Sequence, residues 1–61
     1  MKVSELNRLL RQAGCYETRT HLGGHEEWYS PITDKRFRVP RHQSKEVASG
    51  TLNSIKKAAG I

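Results

Sequence analysis

Two short runs on either side of residues 31–34 constrain the fold of this chain more than any other feature. Trp28 lies in the run before this tetrapeptide, and Phe37 and Val39 alternate with arginines in the run after it. Successive side chains of a strand point to opposite faces of a sheet, so this two-residue period predicts a hairpin with one apolar and one polar face. The tetrapeptide Pro-Ile-Thr-Asp is typical of the turn between such strands.

Two amphipathic helices are predicted to flank the strands. The first covers about residues 5–13, with Ser4 as its N-cap and Gly14 as the residue that ends it. The second follows a polar connection with one helical turn at residues 44–48. It is capped by Ser49 or Thr51 and ends at Gly60. Spacings of three and four residues define the buried stripes, which are Leu6, Leu9, Leu10 and Ala13 in the first helix and Leu52, Ile55 and Ala59 in the second.

Three strands are predicted between the helices, at about residues 15–20, 25–30 and 36–39. Pro40 has no N–H to donate to a sheet, so the third strand is expected to stop before it. The order helix, three strands, helix predicts an α+β fold in a single domain of residues 1–61. Both helices then pack on one face of an antiparallel sheet, and the other face stays open.

Charge and composition narrow the class of protein. The chain has 61 residues, and its 11 Lys and Arg against 6 Asp and Glu give a net charge of +5, which favours a polyanionic partner such as RNA. A single cysteine, Cys15, excludes an internal disulfide and suits a reducing cytoplasm. No apolar run approaches the roughly 20 residues that span a bilayer, so we expect no membrane partner and a cytoplasmic location.

The basic side chains concentrate after the turn. Lys35, Arg36, Arg38 and Arg41 form the expected phosphate-contacting surface, with His42 on its rim. The two-residue period further predicts that the exposed sheet face carries side chains from both strands, namely His25, Glu27, Tyr29, Arg36 and Arg38. On this face a tyrosine can stack on a base, and a glutamate can orient the histidine, although an ordinary solvated role is the commoner one for each.

His25 is the candidate catalyst. Gly23 and Gly24 precede it and allow the backbone to approach a ligand closely. An imidazole can take a proton from a ribose 2′-hydroxyl, which then attacks the adjacent phosphodiester without any metal. The competing interpretation is an exposed polar residue on a non-catalytic RNA-binding module. The spacing of the histidines and Cys15 matches no zinc motif, so no metal or other cofactor is expected.

Several segments in this order resemble the HicA toxin family, small messenger-RNA interferases of bacterial and archaeal toxin–antitoxin pairs. The resemblance covers nearly the whole chain. It rests on the helix at residues 5–14, on Gly23-Gly24-His25 followed by Trp28, on Val39-Pro40-Arg41-His42, and on residues 50–55 leading to Ala59-Gly60.

The resemblance implies a double-stranded-RNA-binding-like fold with His25 as the active-site histidine. It also implies a HicB-like antitoxin that covers the histidine and forms a hetero-oligomer with the toxin. One position departs from the family pattern, because Gly24 stands where the motif usually has serine, so a hydroxyl contact to phosphate is absent there. A double-stranded-RNA binder would instead carry a basic cluster at the start of its last helix, where residues 50–52 are uncharged.

Overall fold

The computed structural model describes residues 1–22 and 25–61, with the side chains of residues 1–18 and 25–61. Over these residues the chain forms a helix, an antiparallel sheet in the order β1-β2-β3, and a second helix, which confirms the predicted α+β fold. The elements are α1 (Val3–Gln12), β1 (Tyr16–Leu22), β2 (His25–Ser30), β3 (Lys35–Pro40) and α2 (Ser49–Ala59).

The register between β2 and β3 decides which side chains share a face. Trp28 lies opposite Phe37, and both side chains are buried. Tyr29 lies opposite Arg36, and residues directly opposite each other in an antiparallel pair point to the same face. The predicted division into an apolar inner face and a polar outer face is therefore confirmed.

The core lies between the inner face of the sheet and the two helices. Its buried apolar residues are Val3, Leu6, Leu10, Cys15, Trp28, Phe37, Val39, Val47, Ile55 and Ala59. The sequence pattern puts Leu9 in the buried stripe of α1, but this residue is 36% exposed. The buried residues of α1 are instead Val3, Leu6, Asn7 and Leu10. They lie on one face of the helix, and Leu9 lies outside that face.

The start of α1 differs from the sequence prediction. The N-cap is Lys2 and not Ser4. The N–H of Val3 donates to the Lys45 carbonyl and the N–H of Ser4 donates to the Gln43 carbonyl, each at 3.0 Å. Carbonyls from a distant segment thus satisfy N–H groups that a serine side chain satisfies in an isolated helix, and the helix begins earlier.

Both helices end at the predicted glycines. Gly14 has a φ of 92° and Gly60 has a φ of 81°, in the left-handed region. After α1 the N–H of Gly14 donates to the Arg11 carbonyl, and the N–H of Cys15 donates to the Leu10 carbonyl. This is the Schellman pattern of helix closure. Because Cys15 takes part in it, β1 begins at Tyr16, one residue later than predicted, and continues to Leu22.

The connection before α2 contains no helical turn, so the prediction for residues 44–48 is wrong. Lys2 and Glu46 form an isolated antiparallel bridge, and the N–H of Val47 donates to the Met1 carbonyl. This segment is extended because it pairs with the N-terminus of the chain. The β3 strand is also longer than predicted, since it includes Pro40.

The cap of α2 differs as well. Ala48 is the N-cap, and no side chain caps this end, so the prediction of Ser49 or Thr51 is wrong. Val47 directly precedes the cap, is buried in the core and is hydrogen-bonded to Met1. Packing of this residue therefore sets the entry of the chain into α2, and a capping hydroxyl does not.

Candidate active site

His25 is the first residue of β2 and is exposed. Its backbone lies opposite Pro40 of β3 on one side and Leu22 of β1 on the other. With the other described residues, the imidazole makes no hydrogen bond, ion pair or ring contact. Within the described part of the chain, both ring nitrogens are therefore open to a ligand that reaches this end of the sheet.

The arginines of β3 lie beside this histidine on the outer face. Because His25 is opposite Pro40, Arg38 is its diagonal neighbour, a relation that places side chains about 7–8 Å apart. Arg36 is one step further along the same face, opposite Tyr29. Both arginines are exposed and form no ion pair within the described part of the chain.

Glu27 occupies the position between His25 and Tyr29 on this face. Its carboxylate accepts a hydrogen bond from the Thr18 hydroxyl of β1 at 2.7 Å, and the residue is half-buried. The structure therefore directs this carboxylate toward β1, and no contact between it and His25 is present. Its predicted role in orienting the imidazole gains no support from the geometry.

Tyr29 forms part of an aromatic pair that sequence reasoning missed. Its ring lies 5.4 Å from the ring of Tyr16, with an angle of 49° between their planes. Tyr16 is 55% exposed, so the larger free aromatic surface belongs to it. The cross-strand register that joins them depends on how β1 pairs with β2, and the sequence carries no local signal for that register.

The Tyr29 hydroxyl donates a hydrogen bond to the Asp34 carboxylate. This hydrogen bond raises the pKa of Tyr29 above its ordinary value, and the loss of hydration and the negative charge of Asp34 act in the same direction. The hydroxyl is thus held protonated and engaged, and the ring face remains the part of this residue that can meet a base.

The other residues of the predicted phosphate-contacting surface lie on different parts of the molecule. Lys35 is exposed at the start of β3. Arg41 lies 4.0 Å from the carboxylate of Glu26, and Glu26 lies opposite the buried Val39, so this arginine is not brought to the outer face. His42 is exposed in the connection that follows β3. The predicted cluster therefore divides into an outer-face part and a part at the end of the sheet.

Gly23 and Gly24, predicted to bring the backbone close to a ligand, lie outside the described residues. Among the side chains that the structure describes, no three His, Cys, Asp or Glu residues come together as a set that can hold a metal ion. Neither helix of the described chain has the length and apolar character needed to cross a membrane.

Comparison with known protein families decides the family. The model for the HicA toxin of bacterial toxin–antitoxin systems matches residues 3–61. The chain belongs to the HicA toxin family. The match begins at the first residue of α1 and includes every helix and strand of this HicA-family toxin. Because the family acts in toxin–antitoxin systems, the toxin role implies an antitoxin partner. No curated protein and no solved structure matches the chain significantly.

Proposed function

We propose that this HicA-family toxin is an endoribonuclease that cleaves messenger RNA without a metal, with His25 as its catalytic residue. The observation that carries the proposal is the exposed imidazole of His25 on the outer sheet face, diagonal to Arg38 and without a partner among the described residues. A general base needs access to a substrate proton, and a cleavage site for a phosphodiester needs nearby positive charge.

The reaction begins at the ribose 2′-hydroxyl next to the scissile phosphate. His25 takes the 2′ proton while the 2′-oxygen forms a bond to phosphorus, and the bond from phosphorus to the 5′-oxygen breaks. The departing 5′-oxygen takes a proton from solvent or from the imidazolium. The products are a 2′,3′-cyclic phosphate and a 5′-hydroxyl, and the attack is intramolecular, which greatly lowers its entropic cost.

The arginines on the outer face neutralise the charge that develops on phosphorus oxygens. Arg38 is the closer of the two to His25 in the register, and Arg36 continues the basic row along the same face of β3. Further along the same face, Tyr16 and Tyr29 offer ring surfaces on which an unpaired base can stack. This arrangement suits single-stranded RNA, whose bases are free to leave a helix.

The cognate antitoxin is proposed to be a HicB-like protein that covers the His25 face and forms a hetero-oligomer with the toxin in the cytoplasm. A net charge of +5 favours an acidic partner as well as RNA. An antitoxin bound there excludes substrate from the imidazole, and inhibition then requires no change in the fold of the toxin.

Substitution His25→Ala tests the catalytic assignment. Removing a general base lowers the rate by about a hundredfold to ten-thousandfold, so RNA cleavage and growth arrest should be lost while RNA binding persists. Asn53→Ala, at an exposed position on α2, is the control and should cleave like the unmodified chain. Cleavage of a labelled transcript by each protein is followed on gels in the presence of EDTA. Growth after induction is compared in separate cultures.

Full cleavage by the His25→Ala variant contradicts the assignment. Product analysis adds an independent test, since a 3′-hydroxyl end is incompatible with internal attack by the 2′-oxygen. Tight RNA binding by the unmodified chain without cleavage supports the alternative, a non-catalytic RNA-binding module. Against that alternative, the first turn of α2 carries no cation, and its basic residues Lys56 and Lys57 lie in the last turn.

A further inference from the structure

A polar cleft lies between α1 and the connection that follows β3, away from the outer sheet face. Its volume is about 530 Å³. The residues that line it are polar or basic and include no carboxylate, namely Ser4, Asn7, Arg8, Arg11, Gln12 and Gln43. We call it the α1 cleft. Asn7 belongs to the buried stripe of α1, whereas the other helix residues of this set are exposed.

Asn7 is the buried polar residue of the α1 cleft, with 3% of its surface exposed. Its Nδ2 donates to Oε1 of Gln43 at 3.3 Å, and its Oδ1 finds no partner among the described residues. Buried polar atoms are nearly always paired in folded proteins, and an exception marks a place where a ligand or water completes the set. Gln43 is exposed, so rotation of this one side chain opens the Asn7 amide to the cleft.

The two amides together offer a defined pattern to a ligand. Rotation of Gln43 breaks the hydrogen bond that joins them, and the carbonyl acceptor and NH₂ donor of Asn7 then both lack a partner among the described residues. An adjacent donor and acceptor is also the pattern on the edge of an unpaired nucleobase, and amide side chains are the usual partners of such an edge.

The arginines of the α1 cleft differ in their availability. Arg11 is 3.4 Å from the carboxylate of Glu17, and its guanidinium lies over the ring of Trp28 at 5.3 Å. Arg8 is exposed, and within the described chain it forms no ion pair. Arg8 is therefore the cation that is available to a phosphate, and Arg11 mainly fixes one wall of the cleft.

The path of the chain places the Gln43 side of the α1 cleft near the end of the sheet that carries His25. His25 lies opposite Pro40, and Gln43 follows Pro40 by three residues, which span at most about 10 Å. The ion pair of Arg41 with Glu26 lies on this path. A strand of RNA at His25 can thus continue around the end of the sheet, past Arg41, to reach the cleft.

We propose that the α1 cleft binds a nucleotide of the RNA substrate that flanks the cleavage position, with its base edge on the amides of Asn7 and Gln43 and its phosphate on Arg8. This inference rests on the proposed ribonuclease function, because it assigns a second contact to the same substrate. It adds a set of substrate-binding residues, on α1 and in the connection after β3, that is separate from the outer sheet face.

Binding measurements with a short single-stranded RNA test this proposal in the His25→Ala background, where cleavage does not interfere. Arg8→Gln should weaken binding by about tenfold, as expected for a lost charge-assisted contact. The slope of log Kd against log salt concentration should also fall by about 0.7. Lys57→Gln removes the same charge from the exposed side of α2 and is the matched control, with a smaller effect expected.

Gln43→Ala is the second variant, since this exposed residue contributes no apolar side chain to the core. It should weaken binding with little change in the salt slope, because it removes a base contact and no charge. The proposal is overturned if Arg8→Gln and Gln43→Ala bind RNA with the same affinity as Lys57→Gln. Failure of the unmodified chain to cleave RNA, with both variants still weaker binders, would remove the catalytic function and leave the α1 cleft as an RNA site.

Discussion

Asp34 shows how one residue organises the outer sheet face. It has a φ of 56° at the end of the turn between β2 and β3, in the left-handed region that aspartate tolerates better than most residues. In this position its carboxylate accepts a hydrogen bond from the hydroxyl of Tyr29. The turn residue therefore restrains a tyrosine of the face on which RNA is proposed to bind, and Tyr29 in turn contacts Tyr16.

The raised pKa of Tyr29 has a consequence for stability at high pH. A group whose pKa is higher in the folded chain contributes stability below its unfolded pKa, and this contribution is lost as the pH rises through the folded pKa. For Tyr29 the contribution is thus present below about pH 10 and disappears above it. Asp34→Asn should lower the pKa of Tyr29 towards its ordinary value, as measured by ultraviolet absorbance titration.

The control for this titration is Tyr29→Phe, which identifies the absorbance change that belongs to Tyr29 and leaves that of Tyr16. Urea unfolding between pH 9 and pH 12 should show less pH dependence in either variant than in the unmodified chain. An Asp34→Asn protein whose tyrosine titration is unchanged would show that Asp34 is not the cause of the raised pKa.

Among the elements, the two helix ends differ in the space around their glycines. A Cβ on Gly14 would meet only Pro31 at 3.6 Å, an ordinary contact, whereas a Cβ on Gly60 would lie 2.8 Å from Cγ2 of Ile32 and 2.9 Å from Cγ2 of Thr33. Those methyl groups belong to β-branched side chains, which adjust poorly. Both glycines have left-handed φ values, so both substitutions carry backbone strain, and steric overlap is added only at Gly60.

Gly14→Ala should therefore lower the free energy of unfolding by about 1–2 kcal/mol, the usual cost of a left-handed non-glycine residue. Gly60→Ala should cost a further 1–3 kcal/mol, approximately, because of overpacking. Gly50→Ala is the control in α2, where an added Cβ meets nothing within 4 Å and the free energy of unfolding should not fall. Urea denaturation followed by circular dichroism gives all three values, and equal losses at Gly14 and Gly60 would refute the steric argument.

For the molecule as a whole, Trp28 is the largest fully buried side chain of a small core. Its indole Nε1 has no hydrogen-bond partner among the described residues. A domain of 61 residues has a free energy of unfolding of about 3–9 kcal/mol. The loss of about 3–5 kcal/mol that follows truncation of a buried tryptophan to alanine is comparable with this whole amount.

Trp28→Ala should consequently leave the chain largely unfolded at 37 °C. Trp28→Phe keeps most of the apolar volume and removes the unpaired N–H, so it should cost less than half as much as the alanine substitution. Thermal unfolding measured by far-ultraviolet circular dichroism distinguishes the two, since the chain has a single tryptophan and its fluorescence is lost in both. A cooperative transition in Trp28→Ala at the unmodified melting temperature would show that the core does not depend on this side chain.

The two faces of the sheet are predictable from the amino-acid sequence alone, whereas the contacts between strands are not. The alternation of Trp28 with His25 and Tyr29 depends only on the two-residue geometry of a strand, and it correctly separates the outer-face residues from the core. The same period cannot show that the carboxylate of Glu27 turns to Thr18, because that contact depends on the register of β1. Aromatic partners across strands are hidden from sequence for the same reason.

By itself, the sequence determined the order of the elements, the glycines that end both helices and the two faces of the hairpin, because each of these follows from local backbone geometry. Only the tertiary structure decided that α1 begins at Val3, that Arg41 pairs with Glu26 and that Asn7 meets Gln43 in the α1 cleft. Each of these joins segments that are distant in the chain. Whether such segments come into contact depends on how the helices and the sheet pack together, so no local sequence pattern predicts it.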